Sequence, residues 1–155
     1  KKIPICVIHV SARWINKYYS EDNFIELLNG LKNQHHRIYL TSDETTRKKF
    51  IKIFSLYSVI NCLDNLPYQK EDILLCDNFD FDSWTSLISQ SNYVITPESG
   101  CTHIASLTDS KLCVIYNSNN TPENIMKEYA PWNKNYLRLF TNDDELNKKI
   151  LQFIK

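Results

Sequence analysis

Short apolar runs of strand length alternate along this chain with segments whose apolar residues recur every three or four positions. That alternation restricts the fold more than any other feature. Residues 3–9 (IPICVIH) form a nearly continuous apolar run ending in a polar loop, the pattern of a strand buried on both faces. Ser20 stands where a helix cap belongs, followed by Glu21 and Asp22 and then by Phe24, Leu27, Leu28 and Leu31 at helical spacing. Residues 37–40 read as a second strand, and Ser42 as the cap of a helix that buries Phe50, Ile51, Ile53 and Phe54. Two short strands follow, around 59–60 and 73–76, with a Pro-containing loop between them. From Asp82 a helix with Trp84, Leu87 and Ile88 on one side leads to a strand at 93–96. Next come the tetrapeptide PESG, a short helix through His103, Ala105 and Leu107, and a strand at 112–116. Residues 136–140 read as a last strand, and Asn142 or Asp143 as the cap of a last helix with Leu146, Ile150, Leu151 and Ile154 inward.

Strands separated by helices of this length predict an α/β fold with a mostly parallel sheet, covered by helices on both faces. Ligands of such sheets bind beyond the carboxyl ends of the strands. Three loops meet that condition: 9–17, 96–103 and 116–122.

Composition narrows the function classes. The 155 residues fit one domain, and 18 basic against 18 acidic side chains leave no footprint for nucleic acid. Cys6, Cys62, Cys76, Cys101 and Cys113 are scattered without a CxxC pair, which points to a reducing compartment and not to a disulfide framework. No apolar run approaches the roughly 18 residues of a membrane span. The chain opens on Lys1–Lys2 and enters a strand at once, as a chain cut at a domain boundary would, or one that has lost a short leader. His35 and His36 lack Cys or carboxylate partners at ligand spacing; they read as surface residues at the end of the first helix, and no metal site is assigned.

Two of the three loops carry candidate chemistry. Only Gly30 and Gly100 occur in the chain, and Gly100 sits between a strand and a helix in T-P-E-S-G-C-T-H. A glycine there lets a ligand approach the backbone, and the first-turn N–H groups face an anion. His103, three residues on, is placed to donate to a phosphate or sugar oxygen, while Glu98 is an acceptor for sugar hydroxyls. The competing reading gives Ser99 a capping role and packs His103 on the sheet. In the loop H-V-S-A-R-W-I-N-K-Y-Y-S, Ser11, Arg13 and Lys17 supply the donors a diphosphate needs. Surface solvation is the alternative for Arg13 and Lys17. The glycines of a dinucleotide or P-loop fingerprint are absent.

Taken in order, the two loops resemble those of the C-terminal domain of bacterial lipopolysaccharide heptosyltransferases, the ADP-heptose-using glycosyltransferases of family 9. The likeness runs from Ile3 to about Leu139 and is most specific in E-S-G-C-T-H-I-A. It implies a Rossmann-like three-layer sandwich, one half of a GT-B enzyme, with residues 1–155 as the donor-binding domain. It implies an inverting, metal-independent enzyme without cofactor, whose substrate is a nucleotide-sugar, ADP-linked, and whose general base lies outside this chain. Ser11 and Lys17, with Arg13, would contact the diphosphate; Lys17 and Arg13 would stabilise the leaving group. Glu98, Ser99, Gly100 and His103 would line the sugar and phosphate end, with Asn117 near the nucleotide. The implied partner is an N-terminal acceptor-binding domain, in the same enzyme or a separate chain. The implied location is the cytoplasm, touching the inner membrane through a lipid-linked acceptor. Glu98 stands where the family has Asp, Tyr19 and Ser20 where it has Trp-Pro, and N-S-N-N-T-P where it has a Gly-containing turn. A transferase-derived binding module without activity is the other reading.

Overall fold

The computed structural model describes residues 2–61, 73–118, 122–132 and 135–155. Its strands are β1 (Ile5–His9), β2 (Arg37–Thr41), β3 (Ser58–Ile60), β4 (Ile73–Cys76), β5 (Tyr93–Pro97), β6 (Lys111–Tyr116) and β7 (Leu137–Phe140). The helices are α1 (Glu21–Lys32), α2 (Glu44–Lys49), α3 (Ile51–Phe54), α4 (Phe81–Gln90), α5 (Gly100–Ser106), α6 (Pro122–Tyr129) and α7 (Leu146–Phe153). Every strand pair is parallel, in the order β3-β4-β2-β1-β5-β6-β7. This is a Rossmann-like α/β domain, one half of a GT-B fold.

Period-two alternation explains why the central strands read as unbroken apolar runs. Cys6, Ile8, Ile38 and Leu40 enter one core with Phe24, Leu27, Leu28 and Leu31 of α1, Ile53 of α3 and Ile150 of α7. Val7, Tyr39, Val94 and Val114 enter the other, with Leu87 and Ile88 of α4 and Cys101 and Ala105 of α5. Burial of the thiols pushes Cys6, Cys76 and Cys101 each up to about 12, so they serve as small apolar groups. Cys62 and the Pro-containing loop lie outside the described residues.

Ser20 caps α1 as expected, its side chain accepting from the Asn23 N–H. Gly30 has a packing reason: a Cβ there would stand 3.0 Å from Leu151 of α7, so its absence lets the two helices close on each other. The next cap is Asp43 and not Ser42, because the Asp43 carboxylate accepts from the Thr46 N–H at 2.7 Å. The helix expected through residues 50–54 breaks at Phe50 (φ −109°, ψ 43°). The break directs Phe50, Ile53 and Phe54 inward and turns Ile51 out, 63% exposed. Leu107 follows the last turn of α5 and is exposed as well, so it does not pack on the sheet. The last helix begins later than its expected cap: Asp143 accepts from the Glu145 N–H in a preceding turn, and Leu146 is the first helical residue. His36 corrects the surface assignment. It is 7% exposed, with its ring edge-on to Tyr93 at 5.4 Å, because the turn after α1 places His35 at φ 57° and carries the next residue inward.

Candidate functional site at the strand switch point

β1 pairs with β2 on one side and β5 on the other, so chain order reverses between β1 and β5. Connections from two such neighbours depart in opposite directions and leave a crevice beyond their carboxyl ends. The loops after these two strands are the ones that carry Ser11–Lys17 and Glu98–His103, far apart in sequence and adjacent in space.

Direct contacts tie the rim together. Arg13 Nη1 donates to Glu98 Oε2 at 2.6 Å and to the Glu98 carbonyl at 2.8 Å. The guanidinium side of this pair is 57% exposed and the carboxylate side 16%. Ser11 Oγ accepts from the Arg13 N–H, and Asn16 Nδ2 donates to Asn117 Oδ1 at 3.3 Å, joining the β1 loop to the end of β6. Trp14, Ile15 and Tyr19 are buried, so this loop is pinned by its apolar residues while Arg13 and Lys17 remain exposed. Lys17 Nζ lies 5.0 Å from the centre of the Tyr18 ring.

On the β5 side, Ser99 Oγ pairs with Thr96 Oγ1 at 3.1 Å, and the Ser99 N–H donates to Thr102 Oγ1 at 3.4 Å. Gly100 opens α5 with no positive φ, and a Cβ built there would meet nothing within 4 Å. Neither conformation nor internal packing therefore calls for glycine at this position, in contrast to Gly30. His103 is half-buried, its ring 5.1 Å from that of Trp132, and its Nδ1 is buried without a hydrogen-bond partner among the described residues.

A cavity of about 410 Å³ opens beside the crevice on the β2 and β4 side. Trp84, Phe79 and Phe81 give it an apolar wall, and His9, Asp43, Arg47 and Asp77 its polar groups. Arg47 is ion-paired with Asp77, so acceptors outnumber uncommitted cations there. None of the residues given a ligand-binding role from the sequence lines this cavity; Ser42, Cys76 and Trp84, which do, were read there only as structural residues. The nearest sequence signal is Asp77-Asn78, the pair that follows β4, where Asn78 holds φ 54°. A larger hollow of about 770 Å³ lies between α1 and α7, reached by Tyr18 and Tyr19 of the loop after β1 and by residues 142–144 just past β7. Glu26, Asp143, Asp144 and Glu145 line it against Lys148 and Lys155, with Lys148 paired to Glu145, so its carboxylates outnumber its cations.

His9 ends β1 inside the cavity wall, with Nδ1 hydrogen-bonded to Thr41 Oγ1 at 2.8 Å and its ring 5.4 Å from Trp84. Burial lowers its pKa from the ordinary 6.5 to about 4, against a smaller opposing pull from Asp43. The imidazole is therefore neutral at neutral pH. The unfolded chain takes up a proton near pH 6.5 that the folded chain refuses until about pH 4, so stability falls as pH drops through that window. The expected loss between pH 7 and pH 5 is about 2 kcal/mol from this group. His36, also lowered chiefly by burial, adds the same sign. Urea unfolding at both pH values checks this: His9→Gln should flatten the pH dependence, and an unchanged slope would contradict it.

The glycosyltransferase family 9 (heptosyltransferase) model matches residues 1–150. No curated protein sequence matches the chain significantly. Among solved structures it is similar to the E. coli heptosyltransferase WaaC with ADP (TM-score 0.65, 16% identity), covering 97% of this chain and 43% of that one. The E. coli ADP-heptose lps heptosyltransferase II is matched with TM-score 0.65 at 14% identity over 98% of this chain and 45% of that one. The Methanocaldococcus jannaschii UDP-GlcNAc 2-epimerase in complex with UDP-GlcNAc and UDP follows, with TM-score 0.61 and 17% identity over 97% and 37%. The chain thus spans less than half the length of each of these proteins. At such identities the likeness is one of fold.

Proposed function

We infer that this chain, which belongs to glycosyltransferase family 9, holds the nucleotide end of an ADP-linked sugar as the donor half of a heptosyltransferase-like enzyme. The observation that carries the reading is the meeting of the two motif loops at the β1–β5 switch point, beside a cavity of about 410 Å³. In this reading the nucleoside enters the cavity, its base against Trp84 and its ribose hydroxyls donating to carboxylates such as Asp43. The diphosphate then lies in the crevice, contacted by Ser11, Arg13 and Lys17 and approached by the first turn of α5 at Gly100. Ser99, Glu98 and His103 face the sugar and phosphate end, and Asn117 closes the β6 side.

Charge builds on the diphosphate as the glycosidic bond to it breaks, and positioned cations contribute most there. Lys17 supplies a charge that has no ion-pair partner among the described residues. Arg13 must first exchange Glu98 for the diphosphate, which frees the carboxylate to accept from the sugar. Transfer would be inverting and without a metal, and the base that activates the acceptor hydroxyl would come from an N-terminal acceptor-binding domain. A lipid-linked acceptor would bring the enzyme to the membrane surface; among the described residues no helix is long and apolar enough to cross one.

Trp84 provides the test. Trp14 is fully buried and Trp132 lies outside the cavity, against His103. ADP should therefore change the emission in a saturable way, and the larger part of the change should be lost in Trp84→Phe, with any remainder removed by Trp132→Phe. Absence of any response to ADP or UDP, with no heat of binding, would contradict the donor reading and leave an interaction module.

A further inference from the structure

Asn16 commits its backbone and side-chain hydrogen-bonding groups within the loop that carries the two cations and, by one bond, to the end of β6. Its backbone N–H donates to the Tyr19 carbonyl at 3.0 Å, and its own carbonyl accepts from the Tyr19 N–H at 3.3 Å. Its side-chain oxygen accepts from the Tyr18 N–H at 2.8 Å. The side-chain amide donates to the Arg13 carbonyl at 3.2 Å and to Asn117 Oδ1 at 3.3 Å. One side chain therefore closes the turn that presents Lys17, holds the backbone of Arg13, and links both to the end of β6.

We propose that Asn16 is a positioning residue for nucleotide diphosphate binding, setting Lys17 over the crevice without touching the ligand itself. The inference rests on the donor reading above. A lysine side chain on a wandering backbone would lose more conformational freedom on binding than one presented from a fixed turn. Buried Trp14, Ile15 and Tyr19 hold the loop to the core whether or not Asn16 is present, so the amide governs local geometry more than folding.

The test uses calorimetric titration of the full chain with ADP and with adenosine, for the wild type, Asn16→Ala, Lys17→Ala and the double variant. Asn16→Ala should weaken ADP about tenfold, leave adenosine unchanged, and add less than about twofold once Lys17 is already alanine. A merely structural role would weaken both ligands and would add fully to Lys17→Ala. Either of those results, or unchanged ADP binding, overturns the proposal. Should the alanine variant fail to fold, Asn16→Ser keeps a short polar group for the turn, and the same pattern is expected at smaller size. A wild-type chain that binds neither ADP nor UDP removes the donor reading and this role with it. Wild-type binding with an indifferent Asn16→Ala removes this role alone.

Discussion

Replacing Lys17 by alanine should weaken ADP binding by about ten- to a hundredfold, the loss of one charge-assisted phosphate contact worth roughly 1.5–3 kcal/mol. Among the described residues Lys17 has no carboxylate partner within ion-pair distance, and its contact with the exposed Tyr18 ring holds it only weakly. Its charge is therefore available to an incoming anion. The fold should hardly notice its removal, since an exposed lysine without a partner contributes within about 0.5 kcal/mol. Arg13→Ala should cost less affinity, because that guanidinium is already compensated by Glu98 at 2.6 Å and must break the pair to engage phosphate. Calorimetric titration checks the ranking. Equal affinity for the wild type and Lys17→Ala would show that the ammonium does not meet the diphosphate.

Trp14→Ala should destabilise the domain by about 3–5 kcal/mol, the range for truncating a large buried aromatic. Trp14 is 0% exposed, edge-on to Phe24 at 5.0 Å, and joins the loop after β1 to the core beneath α1. Its indole N–H is buried without a partner among the described residues. Trp14→Phe therefore removes an uncompensated donor together with part of the ring, and should cost far less than alanine. Urea unfolding at pH 7 distinguishes them. Similar midpoints for the two variants would mean that the indole's packing does not hold this loop in place.

The parts of the fold set by local periodicity were legible from residue order. Phe24, Leu27, Leu28 and Leu31 all face the core from α1, and the strands at 3–9, 93–96 and 112–116 fall within one or two residues of β1, β5 and β6. Element ends set by a single bond were less so: Ser42 and Asp43 are both good caps, and only geometry shows that Asp43 reaches the Thr46 N–H. The break at Phe50 and the burial of His36 arise from tertiary packing, which leaves no periodic trace. The helix α6 (Pro122–Tyr129) follows a stretch read only as loop. At the site, the two motif loops were visible because rare residue types, Gly100 and the Arg13–Lys17 pair, stand at strand–helix junctions. The cavity over β2 and β4 was not visible. It is built from Asp43, Asp77 and Trp84, three residues brought together only by the crossover order of the sheet.

Everything functional here depends on a pyrophosphate lying between the end of β1 and the first turn of α5. A crystal structure of the chain soaked with ADP measures that position directly. The account predicts phosphate oxygens within hydrogen-bonding distance of Lys17 Nζ and the Gly100 N–H, with adenosine against Trp84. ADP seated in the groove between α1 and α7, or phosphates remote from both loops, would contradict it.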